Sequence, residues 1–181
     1  MIFDNEGNLI TSGLTDENGN YKVKIDADQS GYAKVIKEDS TTGKAFVSKD
    51  VSFDKDSRNI DDCVISPAVK ASGTITDYNG DPVEGVNVTF TYENEKGEIE
   101  SFKTYTDKNG NYSLFIKKGT QQSPLNYRYN FYQKDVVNHS GFVSVDDSDT
   151  IEISYQSKGE FINITVDFGE AVPSQDTIPE M

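Results

Sequence analysis

From Val86 to Tyr92 the chain alternates strictly. Val86, Val88, Phe90 and Tyr92 fall on one side, and Asn87, Thr89 and Thr91 on the other. A repeat of two is the mark of a half-buried strand, because successive side chains in extended backbone point to opposite faces. The same alternation returns at Tyr112, Leu114 and Ile116, at Tyr127, Tyr129 and Phe131, and at Ile162, Ile164, Val166 and Phe168. Turn signals separate these runs: YNGD, ENEKGE and DKNG. Asn-Gly and Asp-x-x-Gly supply the positive φ that tight reversals require. From Lys70 onward eight strand candidates are legible: KASGTITD, GVNVTFTY, EIESFKTYT, NYSLFI, YRYNFY, GFVSV, TIEISY and FINITVDF. Short, evenly spaced strands joined by turns predict an antiparallel sandwich.

Composition supports an all-β chain. The 181 residues hold 14 Ile and 15 Val but only 4 Leu, with 10 Tyr and 10 Phe. Branched and aromatic residues suit a pleated surface, and the best helix formers are scarce. The net charge of −14 repels phosphate backbones, so nucleic acid is excluded as a partner. It also disfavours anionic membranes, and no run of 18 apolar residues exists, so no membrane insertion is expected. The one cysteine, Cys63, has no second cysteine to pair with. No charged-then-apolar leader opens the chain, which leaves a cytosolic protein or a segment of something longer as the expectations.

TDENGNY at Thr15–Tyr21 returns as TDKNGNY at Thr106–Tyr112. Aligned on this repeat, YKVKI at 21–25 matches YSLFI at 112–116, and AFVS at 45–48 matches GFVS at 141–144. The alignment predicts an incomplete sandwich over 1–69 that lacks its leading strands. A complete sandwich over 70–169 and a flexible tail over 170–181 follow it. Pro67 is expected to end one strand, with the next beginning a few residues later. A sandwich short of strands exposes a sheet edge, so pairing with another chain, as in a homodimer through the first domain, is expected.

The string SGTITDYNGDPVEGVNVTF, followed by TYTDKNGNYSLFI, resembles the carboxypeptidase regulatory-like domains of the transthyretin-like (prealbumin-like, Ig-like) sandwiches. Residues 73–116 carry the whole pattern, and Thr15–Ile25 part of it. The resemblance implies tandem β-sandwiches that act as non-catalytic structural or adhesion modules of secreted or cell-surface bacterial proteins. The alternative it implies is a carbohydrate-binding module presenting glycan to a partner enzyme. A regulatory lobe of a peptidase is a third reading. The turns also recur in collagen-adhesin B-type repeats, which would imply a Lys–Asn crosslink; Lys70 and Asn163 have the right order for one.

Asp16, Asn18 and Asn20 imitate a calcium loop, but the sixth and twelfth places hold Tyr21 and Ala27 where Gly and Glu belong. The second copy puts Lys118 at the twelfth place. Turn chemistry explains both copies, with Tyr21 and Tyr112 planting the next core side chain. Asp54, Asp56, Asp61 and Asp62 form a denser acidic loop with Arg58 among them, and Asp146, Asp147 and Asp149 a weaker one; either binds calcium or is simply solvated. His139 is the only histidine and is expected in a polar loop, VVNHSG, as a solvated side chain. Cys63 beside Val64 reads as an inert strand thiol. No constellation for catalysis emerges, so the chain is expected to be no enzyme, with no catalytic, cofactor or metal residue assigned. Arg128, Asn130 and Tyr132 share the outward face of their strand, which raises stacking with sugars. Whether a protein or a glycan is the partner is left open.

Overall fold

A computed structural model describes residues 1–56, 62–147 and 150–158. These form an all-β protein of three sheets. The N-terminal sheet has the order β2-β1-β3-β6, from β1 (Ile2–Asp4), β2 (Leu9–Thr11), β3 (Gly31–Ala33) and β6 (Val51–Phe53). The central sheet runs β10-β7-β5-β4, from β4 (Ile36–Glu38), β5 (Ala45–Ser48), β7 (Ile65–Thr76) and β10 (Asn111–Lys117). The third runs β12-β11-β8-β9, from β8 (Asn87–Glu93), β9 (Ile99–Tyr105), β11 (Leu125–Gln133) and β12 (Val137–Val145). The order 2-1-3-6 repeats 9-8-11-12 position for position. The hairpin β11–β12 thus has a counterpart, β3–β4 with β5–β6, whose base lies in the N-terminal sheet and whose tip joins β5 to β7.

The alternating residues do what their period dictates. Val86, Val88, Phe90, Ile116, Tyr127 and Phe131 are fully buried between the central and third sheets, and Tyr92, Tyr112 and Leu114 nearly so. Removing one such side chain from water contributes about 1.5–3 kcal/mol, which is why the face-to-face register is strongly specified. The N-terminal sheet has a far smaller core: Ile2, Ala33 and Phe53, with Ile10, Tyr21, Ile25 and Cys63 packed partly against it.

Four local expectations are corrected. Pro67 does not end a strand. It sits inside β7, and its carbonyl accepts a bond from Lys118 N–H at 2.9 Å, just past the last β10 residue. A proline is tolerated there because the missing N–H lies where the partner strand stops. TIEISY is not one antiparallel strand. It splits into β13 (Thr150–Glu152) and β14 (Tyr155–Gln156), both parallel to β7. YKVKI forms no strand: β10 is held by seven residue pairs with β7, whereas no described strand lies beside residues 21–25. VVNHSG is not a loop: from Val137 onward it belongs to β12. AFVS opens the returning arm of its hairpin, whereas GFVS lies midway along β12, so the repeat matches the same arm out of register. FINITVDF and the tail at 170–181 lie outside the described residues.

Candidate functional site

The repeated seven-letter motif resolves into a turn used five times among the described residues. Asp4–Asn8, Asp16–Asn20, Asp77–Asp81, Asn94–Glu98 and Asp107–Asn111 share one geometry. The first residue's side-chain oxygen accepts the fifth residue's N–H at 2.7–3.0 Å. The fourth residue is glycine with φ between 72° and 89°. Its N–H returns to the first residue's carbonyl at 2.8–3.2 Å. These Asx side chains are spent on backbone donors. The same bonds, the Asn20 N–H first among them, hold the Asp16 carboxyl below its ordinary range. The turns are architecture. Tyr112 is buried behind its turn, while Tyr21 packs only partly on the N-terminal core.

The acidic loops do not assemble a metal centre among the described residues. Asp54 turns back to accept the Asp56 N–H at 2.9 Å. Asp61 and Asp149 lie outside the described residues, as does Asn163, the partner imagined for Lys70. Cys63 precedes β7 and is half-buried; burial pushes its thiol up, away from the nucleophilic thiolate. His139 stacks flat on Tyr155, with ring centroids 4.0 Å apart and planes 6° apart, beside Tyr129 and Phe131. Burial holds its pKa below 6.5. It closes the aromatic end of the core between β12 and β14.

Two features remain that could meet a partner. One is the outward face of the third sheet. Arg128 stands directly between Phe142 on β12 and Thr91 on β8. Two rows along, Tyr132 stands between Asn138 and Asn87. Phe142 is 81% exposed and Tyr132 54%. The row between carries Asn130, Ser140 and Thr89, so the face is hydroxyls and amides with an aromatic at either end. Sequence alternation placed Arg128 and Tyr132 outward; it could not place Phe142 opposite Arg128, because cross-strand register is not written in one strand.

The other feature is a polar seam where the N-terminal sheet meets β9. Lys34 Nζ lies 3.0 Å from Asp50 Oδ1, and both side chains are 6% exposed. Lys103 Nζ sits 4.0 Å over the Tyr32 ring, which stacks on Phe3. Burial lowers the Lys103 pKa and raises those of Asp50 and Tyr32. A cleft of about 220 Å³ lined by Phe3, Tyr32, Lys103 and Phe115 adjoins it. No acid, base and nucleophile converge there. Nothing in the sequence marked Lys34 or Asp50, because their pairing depends on how two sheets dock.

The chain belongs to the family described as Domain of unknown function (DUF6795), whose model matches residues 71–161. No curated protein matches it. Among solved structures it is similar to a streptococcal ancillary pilin, at 16% identity and TM-score 0.37, covering 71% of this chain and 44% of that one. BcpA, the major pilin subunit of Bacillus cereus, is similar at 13% identity and TM-score 0.36, covering 70% and 39%. A 3-chlorocatechol 1,2-dioxygenase from Rhodococcus opacus 1CP gives 12% identity and TM-score 0.37, covering 50% and 59%. The chain therefore spans less than two thirds of each of these structures.

Proposed function

We propose that this member of the DUF6795 family is a non-catalytic structural or adhesion module, a stiff pair of β-sandwiches from a secreted or cell-surface bacterial protein. In this reading residues 1–69 and 70–169 are two transthyretin-like modules of the carboxypeptidase regulatory-like kind. The observation that carries it is the joint. One strand, β7, pairs with β5 at Ile65–Ala68 and with β13 and β14 at Lys70–Thr76, so no linker intervenes. The buried Lys34–Asp50 pair then fixes the N-terminal sheet against β9. A two-point joint of this kind resists bending, as a spacer or stalk must.

Small-angle scattering tests the reading. A stiff module keeps one maximum dimension and a rod-like profile across ionic strength. Asp50→Ala releases the seam and gives a broader distribution of shapes. A wild-type profile typical of two freely jointed beads would sink the proposal.

The outward face of the third sheet favours a second reading, a carbohydrate-binding module. Exposed Phe142 and Tyr132 flank Arg128 and rows of amides and hydroxyls, the groups that stack on and bond to neutral sugars. A glycan panel separates the two readings: saturable binding lost in Phe142→Ala and Tyr132→Ala supports the second, and its absence leaves the structural module.

A further inference from the structure

Residues 21–25 are the part of the chain whose sequence and surroundings disagree most. YKVKI alternates as a strand, and its twin β10 is laddered to β7 over seven residues. Tyr21–Ile25 itself has no neighbouring strand among those described. Tyr21 and Ile25 are half-buried on the small N-terminal core, Val23 is 37% exposed, and Lys22 and Lys24 point out. Leu14, seven residues before Tyr21, is 93% exposed, and Val64, next to Cys63, is 75% exposed. An apolar, unpaired edge of this kind is a template for an added strand.

Charge narrows the occupant. Two Tyr21–Ile25 strands pairing antiparallel about Val23 would set Lys22 against Lys24, which is unfavourable. Residues 159–181 suit better. They carry Glu160, Asp167, Glu170, Asp176 and Glu180 and no lysine or arginine. They also include Ile162, Ile164, Val166 and Phe168 alternating with Asn163, Thr165 and Asp167. Geometry then places donor and acceptor on different molecules. Tyr21 and Ile25 pack on the same small core, of Ile2, Ala33 and Phe53, as Cys63, which stands two residues before β7 begins. Lys158 follows Gln156, which pairs with Thr76 at the other end of β7. Those ends are about 36 Å apart at ordinary strand rise. The three steps from Lys158 to Phe161 span about 10 Å at most, and all ten to Phe168 about 33 Å at strand rise, short of that separation.

We propose that residues 161–168 of one copy add as a β-strand along Tyr21–Ile25 of the next. Donor and acceptor sit at opposite ends, so the contact is head-to-tail and does not close on a dimer. Copies join in a linear series.

The test uses the full chain and light scattering behind size exclusion. The wild-type mass climbs past the dimer as concentration rises. Val23→Asp spoils the acceptor and Ile164→Asp the donor, so each alone is monomeric. Mixed in equal amounts they form a heterodimer and stop there, since one sound donor meets one sound acceptor. Lys22→Glu with Lys24→Glu changes only exposed side chains, and weakens self-association about tenfold. A wild-type monomer at every concentration overturns the proposal. So does an oligomer that persists in Val23→Asp and Ile164→Asp, or association indifferent to the lysine reversals.

Discussion

Lys34 and Asp50 close the open edge of β9 between them. Lys34 Nζ donates to the Lys103 carbonyl at 3.0 Å, and Asp50 Oδ2 accepts the Lys103 N–H at 3.0 Å. Asp50's own N–H donates to the Ser101 carbonyl at 3.1 Å. Two side chains and one amide thus supply bonds that a neighbouring strand would otherwise make. An edge strand left bare invites pairing with other chains, and this one is blunted by an ion pair. The pair stands at the bend where the hairpin β3–β4/β5–β6 leaves one sheet for the other, and the Met1 amine holds the Lys34 carbonyl from behind at 3.0 Å.

Removing one member should cost more than the pair is worth. Lys34→Ala leaves Asp50 buried without its cation, Oδ1 having no hydrogen bond of its own. The expected loss is about 3–5 kcal/mol. Asp50→Ala should cost a similar amount, since Lys34 is then stranded. The double variant should cost no more than the worse single one, because the second deletion removes the orphan. Urea denaturation of all four proteins closes the cycle, and additive losses would contradict it.

Glycine is required unequally at the five turns. Gly19 and Gly110 both have positive φ, 81° and 72°. A Cβ on Gly19 meets nothing within 4 Å, whereas on Gly110 it falls 2.4 Å from the Ile75 carbonyl oxygen. Gly19→Ala should therefore lose only the left-handed penalty, about 1–2 kcal/mol. Gly110→Ala must also push β7 aside, and should lose clearly more. Thermal denaturation of the two variants side by side tests the ranking.

His139 gives the fold a dependence on pH with a defined sign. Burial, with Lys158 nearby, lowers its pKa in the folded state below 6.5. The unfolded chain therefore binds a proton more readily. Its contribution to stability is fully present above pH 6.5 and is lost as pH falls through the lowered value. The wild type should weaken relative to His139→Gln over that interval, and the difference should stop changing with pH above it. Chemical denaturation in buffers stepping down from pH 6.5 reads this directly, and a constant difference would contradict it.

Much of the fold was legible because it rests on local chemistry. Alternation at Val86–Tyr92 and Tyr127–Phe131 fixed which face is core, and Asx-Gly spacing fixed the turns. What stayed hidden depends on partners distant in sequence. YKVKI carries a strand's pattern yet forms none, because a strand exists only beside another. His139 looked like a loop residue because its neighbours Asn138 and Ser140 are polar; they are the outward half of β12. Lys34 and Asp50 carry no local mark in the sequence, and only the docking of two sheets buries them.

Phe90 and Phe142 put that division to a quantitative test. Both are strand phenylalanines of one sheet, on opposite faces, one fully buried and the other 81% exposed. Phe90 packs against Tyr127 and Tyr129, with centroids 6.3 and 6.1 Å away. Phe90→Ala opens a cavity in the main core and should cost about 3–5 kcal/mol. Phe142→Ala removes contacts with little but solvent and should change stability by no more than about 0.5 kcal/mol. Its effect belongs instead to whatever meets the outward face. If that face is a binding surface, Phe142→Ala loses ligand while the denaturation curve stays put. If Phe142→Ala lowered the midpoint as much as Phe90→Ala, the ring would have to be covered in solution, by a ligand or another chain. Denaturation at two protein concentrations would distinguish those, since only association with another copy shifts the midpoint with concentration.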